Sequence, residues 1–522
     1  MERLAGKVIL LWGWRRAAAA FLAGGFAALS QPPFDFFAAC LIAFPVLVWL
    51  LDGAASEPGE GFIRRALRPF AIGWWFGFGY FLVGLWWTGK ALLVEADLFA
   101  WALPLAVFGL PALLAIFYGL ATAIGRAMWS DGAARIAALA FGFAVAEFLR
   151  TFALTGFPWN SVGQAAMPVP VMMQSLSAVS MIGINGLAVF VFAAPALLAA
   201  PAGRRLGLSI AALLAALHFG YGFARLATVD ATPETLVTVR IVQPSINQAV
   251  KWDAQMRDRI FSTYLEMSAR PADETPDLIV WPETALPFIL SERPDALVAF
   301  SELLEDGQSL FAGAVRTEGS GTSTRYYNAV VALNDEGELY DAVDKVWLVP
   351  FGEYLPFAGV LSRFGMARLV QSVSDFSTGG QRRAIATASG ATAMPFICYE
   401  VIFPGIAGHG DLDADMLLNI TNDAWFGRSP GPYQHFRQAQ LRAVEGGRPL
   451  VRAANNGISG VVDAYGRVVD AFALDAVGVL DVDVPRQRAV GMGNPPLVGW
   501  GILAVLGLWA AAGALSGLRR SD

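Results

Sequence analysis

The chain has 522 residues, 56% of them apolar and 15% charged, with a net charge of −6. Soluble globular proteins carry roughly 45–50% apolar and about 25% charged residues, so this composition excludes an ordinary soluble protein. The acidic balance, with no basic stripe interleaved with aromatics, excludes nucleic acid as a partner.

Length points to two or three units, and the charge is unevenly spread among them. Residues 1–225 and 496–522 are nearly free of charge apart from short basic clusters, whereas residues 226–495 read as an ordinary soluble sequence. A helix needs about 20 apolar residues to cross a hydrocarbon core of roughly 30 Å. On that basis we expect spans near 17–31, 36–51, 70–89, 101–125, 134–151, 178–201 and 206–225, then an eighth near 497–517. Arg15 and Arg16 ahead of an apolar stretch also fit a secretory signal peptide. The unbroken series of further spans argues against that alternative.

Basic residues orient the bundle. Arg3, Lys7, Arg15 and Arg16 precede the first span, and Arg64, Arg65 and Arg68 fall between the second and third. Arg126 and Arg135 flank the fourth connection, Arg204 and Arg205 the sixth, and Arg519 and Arg520 follow the last span. The alternate connections hold almost none: QPPFD (31–35) has no Lys or Arg, and residues 90–100 have Lys90 alone. By the positive-inside rule both termini are cytoplasmic. Seven spans then place residues 226–495 on the outer side of the membrane; a bacterial inner membrane and its periplasm are what the family resemblance described below implies. A transporter is the competing class for such a bundle, since intramembrane ionisable groups mark transport paths. Glu147 and Arg150, one turn apart near the end of the fifth span, are read here as a pair near the interface.

Within the soluble part, LVTVRIVQP (236–244), DLIVWPET (277–284), SLFAGAV (309–315), YYNAVVALN (326–334), AMPFICYE (393–400), MLLNITND (416–423) and LVRAAN (450–455) have strand character. Residues 253–269 and 434–446 have helical character, and the alternation predicts a layered α/β domain. Three apolar runs stop abruptly at Glu283, at Cys398, and at Asn422 with Asp423. Ligand sites in open α/β sheets lie beyond the carboxyl ends of strands, so these endings point to one shared pocket.

Cys40 and Cys398 are the two cysteines of the chain. Cys40 falls within the second span and cannot pair with Cys398, so an unpaired thiol in an oxidising compartment requires another explanation, and nucleophilic catalysis supplies one. A thiol of pKa about 8.5 needs help near neutrality. Of three histidines, His218 lies in the seventh span, His409 in a loop and His435 at a helix start, with no metal-ligand spacing among them. Glu283 is the candidate base, its pKa expected to be raised by burial. Lys345 is the candidate cation for a thiolate and an oxyanion.

WPET with Glu283, K-x-x-L-V-P-F-G-E with Lys345 and Glu353, and ICYE with Cys398 resemble the Glu–Lys–Cys signature of the nitrilase superfamily. LLNITNDAWFG (417–427), RAVEGGRPLVRAANNGISG (442–460) and the flanking spans make nearly the whole chain similar to the apolipoprotein N-acyltransferase family. The resemblance implies an αββα sandwich joined to a polytopic helical membrane domain of about eight spans. It also implies transfer of the sn-1 acyl chain of a phospholipid, through a Cys398 thioester, to the α-amine of a diacylglyceryl-cysteine apolipoprotein. Glu283 would act as base, with Lys345 and a backbone N–H from Tyr399 holding the oxyanion. Glu353 and Glu400 would position Lys345 and the pocket, and Glu400, two residues beyond Cys398 on a strand, would share its side. Trp252, Asn328, Trp425 and Arg448 would line the substrate cleft. No metal or cofactor is expected, the partners being membrane lipid and lipoprotein, and the protein a monomer. A tethered amidase giving the acyl group to water is the rival chemistry.

Residues 351–370, FGEYLPFAGVLSRFGMARLV, place many apolar side chains in a soluble domain. Exposed apolar patches mark membrane contact, so this segment is expected to be an arm that dips toward lipid and acts as a lid.

Overall fold

Each of the eight apolar stretches is helical in the computed structural model, which describes residues 1–54, 59, 61–357, 363, 376–407, 414–489 and 493–518. The chain divides into two compact units, Met1–Val229 with Gly491–Asp522, and Asp230–Val490.

In the first unit the helices run Gly13–Ala27, Phe37–Asp52, Phe62–Leu85, Leu105–Ala127, Ala134–Phe152, Leu176–Ala199, Arg204–Ala227 and Pro495–Leu518. Five stretches among the described residues are long and apolar enough to cross a membrane. The other three fall short for visible reasons. Gly13–Ala27 has 15 residues, about 22 Å of rise. Phe37–Asp52 is likewise short, and Ala134–Phe152 carries Arg135, Glu147 and Arg150. Phe62–Leu85 begins eight residues before the expected span. Arg64, Arg65 and Arg68 therefore stand in its first turns instead of in a connection. Close helix approach depends on missing side chains: a Cβ on Gly24 would lie 1.8 Å from the Phe76 carbonyl oxygen, and one on Gly79 would lie 2.0 Å from that of Phe21.

Glu147 and Arg150, near the end of their helix, are fully buried within the protein. Arg150 Nε donates to Glu147 Oε2 at 3.0 Å, and Nη1 donates to the Trp159 carbonyl at 2.8 Å. The other carboxylate oxygen accepts from the Tyr118 hydroxyl and the Val162 N–H, each at 3.0 Å. The pair thus bolts the turn after Phe152 to its own helix and to Leu105–Ala127. Hydrogen bonding saturates it, as a structural ion pair in an apolar setting requires.

The second unit is a pair of six-stranded sheets. Strands β1 (Thr235–Gln243), β2 (Leu278–Val280), β3 (Ser309–Glu318), β4 (Arg325–Asn334) and β5 (Leu339–Asp344) form one sheet, closed at its other edge by β12 (Gly478–Pro485). The other contains β6 (Ile385–Ala386), β7 (Thr392–Ile397), β8 (Met416–Thr421), β9 (Leu450–Ala454), β10 (Gly460–Val462) and β11 (Val468–Ala471). Each has a parallel centre, β1-β2-β3 and β7-β8-β9. Alternation along the strands decides which face meets which layer. Val239, Leu278, Val280, Phe311, Val330 and Ala332 pack against Ile397, Met416, Leu418, Val451 and Ala453 from the facing sheet. Ile279, Leu310, Ala312 and Val331 point the other way, against Phe261 and Tyr264 of Arg257–Ser268 and Phe300 of Pro294–Leu303. Pro430–Gly446 packs beside β9 and buries Leu441, Ala443 and Val444. The layers are therefore α, β, β, α.

Several elements differ from expectation. Helix Pro294–Leu303 and strands β5, β6, β10, β11 and β12 are additional. The edge strand β12 was hidden by Asp481 and Asp483, whose outward side chains break the apolar run; Asp481 pairs with Arg240 and Asp483 accepts from Thr238. β7 ends at Ile397, and residues 398–402 form a 3₁₀ turn. Strand periodicity therefore does not relate Glu400 to Cys398.

Replacing Arg150 by Met would leave Glu147 buried without its cation. The expected cost is about 3–5 kcal/mol, read as a lowered thermal unfolding midpoint in detergent. The double variant Glu147→Gln with Arg150→Met should lose less.

Candidate active site

Two parallel sheet centres facing one another bring the carboxyl ends of several strands to one place. Glu283 follows β2, Lys345 follows β5, Cys398 follows β7 and Asp423 follows β8. The close approach of the Glu283 turn to β3 depends on Gly313, where a Cβ would lie 2.3 Å from the Pro282 carbonyl oxygen and 2.6 Å from Glu283 Cα.

Lys345 is the hub. Its Nζ donates to Glu353 Oε1 at 2.8 Å and to Glu283 Oε1 at 3.2 Å. Asn328 Nδ2, from β4, donates to the same two oxygens at 2.7 Å (Glu283) and 2.8 Å (Glu353). Glu353 Oε2 also accepts the Val349 N–H at 2.7 Å, which folds the 345–353 loop around the lysine. The Cys398 thiol lies close enough to the Glu283 carboxylate and the Lys345 ammonium for each to act on its ionisation. All five side chains are buried. Asn328 Oδ1 has no partner among the described residues, leaving a buried acceptor for a substrate or solvent donor.

Electrostatics reverses one expectation. Burial alone would raise the Glu283 pKa, but Lys345, Asn328 and Lys251 outweigh it, so Glu283 is held below the ordinary carboxylate range. It is an ionised acceptor at neutral pH, not a half-protonated acid. Burial would lower Lys345, yet Glu353 and Glu283 drive it above its usual value. Burial, then Glu283, push the Cys398 thiol upward, with Lys345 opposing. The resting state is therefore thiol beside carboxylate.

Cys398 stands at a sharp bend with φ of 50°, the left-handed region that a side chain normally avoids. Glu400 holds the bend: Oε2 accepts the Ile397 N–H at 2.7 Å, while Oε1 accepts from Val346 N (2.9 Å), Trp347 N (3.1 Å) and Arg382 Nη2 (2.6 Å). One carboxylate thus ties the cysteine bend to the lysine loop. Behind it, His435 bridges Asp423 Oδ1 (Nδ1, 2.8 Å) and the Cys398 main-chain oxygen (Nε2, 3.2 Å). Arg452 Nη2 donates to Asp423 Oδ2 at 2.8 Å.

The remaining expectations divide. Trp252, 46% exposed, and the half-buried Trp425 flank strand ends on this side of the sheets. Arg448 does not join them. It precedes β9, level with the opposite ends of strands whose far ends carry Cys398, a separation of roughly 20 Å along the strand. Most of 351–370, like His409, lies outside the described residues; of the described part, Phe351 and Phe357 are exposed and Leu355 is buried. Lys251, Arg382, His435 and Arg452 escaped sequence reasoning. Arg452 carried a usable signal, a charge inside the buried run LVRAA. Among the described residues no group of three His, Cys, Asp or Glu could hold a metal ion.

Residues 238–492 match the carbon-nitrogen hydrolase family, and residues 23–194 match the apolipoprotein N-acyltransferase N-terminal domain. The chain is 53% identical over 521 residues to the apolipoprotein N-acyltransferase of Brucella suis biovar 1, covering 98% of each. It is 51% identical to that of Agrobacterium fabrum, covering 100% of each. Among solved structures it is similar to an amidase from Nesterenkonia sp., at 18% identity and a TM-score of 0.35, over 49% of this chain and 92% of that one.

Glu353→Gln removes the largest charge that raises Lys345. A lysine with a raised pKa keeps its charge until pH climbs through the folded value, so the alkaline limb of the pH–rate profile should move to lower pH. Activity at neutral pH should fall about 100-fold. An unmoved limb would show that Glu353 does not govern the lysine charge.

Proposed function

Because the chain belongs to the apolipoprotein N-acyltransferase family, we propose that its acyl transfer runs by a ping-pong route through a thioester on Cys398. Cys398 Sγ attacks the sn-1 ester carbonyl of a phospholipid while its proton passes to Glu283. Lys345 and the Tyr399 N–H hold the oxyanion. The C–O bond breaks, Glu283 returns the proton to the departing lysophospholipid oxygen, and the acyl-enzyme remains. The α-amine of a diacylglyceryl-cysteine then attacks the thioester, Glu283 takes the amine proton, and it passes to sulfur as the C–S bond breaks. Covalent catalysis divides one difficult exchange into two easier ones.

The observation that carries this reading is the buried Glu283–Lys345–Glu353 cluster, electrostatically coupled to the Cys398 thiol beside it. An ionised acceptor beside sulfur and a permanent cation beside both suit a base that must release its proton again. The orphaned Asn328 Oδ1 offers an acceptor for an incoming amine N–H. Trp252 and Trp425 are assigned to the cleft, and Phe351 with Phe357 to the stem of a lipid-facing arm.

The same reading places the catalytic unit, residues 226–495, in the periplasm and both termini in the cytoplasm, with the protein a monomer. The basic clusters on alternate connections support the orientation.

Mass spectrometry of the purified protein mixed with phospholipid should find a fatty-acyl thioester on Cys398 that a diacylglyceryl-cysteine peptide removes. Cys398→Ala should abolish the adduct, while Cys40→Ala leaves turnover intact. Release of free fatty acid with no N-acylated peptide would favour hydrolysis instead.

A further inference from the structure

Four buried or largely buried carboxylates stand around the Cys398 centre, and two of them have a cation of their own. Glu400 has Arg382 and Asp423 has Arg452. Glu283 and Glu353, however, share the single ammonium of Lys345. Two carboxylates against one lysine leave a buried net negative charge beside a sulfur that must itself become anionic, an arrangement that low dielectric penalises heavily.

A second lysine resolves the imbalance. Lys251 is fully buried. Its Nζ donates to the Glu283 main-chain oxygen at 3.0 Å and to Thr284 Oγ1 at 2.7 Å, and it has no carboxylate within ion-pair distance among the described residues. A buried ammonium on neutral partners is costly unless nearby charge repays it. Both bonds fall on the turn that carries the base, where Thr284 sits at a φ of 49°. The loop bearing Lys251 is itself stitched to the facing sheet: Asn422 Nδ2 donates to Gln248 Oε1, and Asn455 takes the Ile246 N–H at 2.9 Å and donates to the Ile246 carbonyl at 2.7 Å. Inward pointing of Lys251 is therefore built in, with Trp252 turned outward as its neighbour.

We propose that Lys251 is a positioning residue of the reaction centre: it locks the Glu283–Thr284 turn and supplies the second positive charge that keeps the Glu283 carboxylate ionised beside Cys398. This rests on the reading of Glu283 as the base. Facing Glu283 are Lys345 from the loop after β5, Asn328 from β4, Cys398 from the bend after β7 and Lys251 from the loop after β1; Glu353 faces Lys345, and Asp423 faces Cys398 from behind. Burial lowers Lys251 to about 8, with Glu283 and Cys398 opposing the fall, so the charge is present at neutral pH and fades in mild alkali.

The sign follows directly. Removing this cation raises the Glu283 pKa, and the acid limb of Cys398 acylation moves to higher pH. The test is single-turnover acylation of the full-length protein by phosphatidylethanolamine in mixed micelles, quantified as the Cys398 thioester across pH. Lys251→Met should shift the acid midpoint upward by on the order of one unit and slow acylation at neutral pH at least about 10-fold. Thr284→Val, which deletes one hydrogen bond and keeps the charge, should slow acylation without moving the midpoint. An unshifted midpoint in Lys251→Met overturns the proposal. Should that variant fail to fold, Lys251→Arg decides: retention of the wild-type midpoint supports it, and an upward shift overturns it. Failure of the underlying reading looks different, since wild-type protein would then form no thioester, or Cys398→Ala would still acquire the acyl chain.

Discussion

A buried ammonium shared by two carboxylates is the constraint around which the catalytic unit is organised. Lys345 cannot lose its proton while Glu283 and Glu353 flank it, and neither carboxylate can be buried without it. Asn328 doubles the link by donating to both acids. The lysine loop, the β2 turn and β4 are therefore mutually dependent, and loss of one charge would strand the others in low dielectric.

That dependence explains why the site spans both sheets. Glu283, Asn328 and Lys345 come from one, Cys398 and Asp423 from the other, and the facing apolar surfaces hold the two in register. Glu400 supplies the polar counterpart, holding the cysteine bend with one oxygen and the lysine loop with the other. The left-handed backbone at Cys398 is costly by itself. It persists because Glu400 in front and His435 behind over-determine it.

Electrostatics also bears on the proposed order of proton movement. A thiol raised by burial and a carboxylate lowered by its neighbours differ in the sense opposite to a preformed thiolate. In the proposed route, deprotonation of Cys398 then accompanies bond formation, and a weakly basic carboxylate gives its proton back readily to each leaving group. The helical unit uses the same rule for a structural end. Glu147 and Arg150 survive in an apolar bundle because Tyr118, Val162, Phe157 and Trp159 satisfy their remaining hydrogen-bonding groups.

Composition, span-length apolar runs and strand endings were readable from one dimension, because hydropathy and residue period are local properties. They delivered the helical region, seven of the strands and the Glu283, Lys345 and Cys398 positions. What depended on tertiary structure was everything set by pairing at long range. The ionisation of Glu283 was expected upward because burial is legible in an apolar run, whereas its three compensating neighbours come from separate segments. Lys251 carries no sequence signal, because only the fold turns it inward onto the Glu283 turn. Arg448 shared a motif-rich segment with the site but lies at the wrong end of its strand, since direction along a sheet is decided only when the strands are paired.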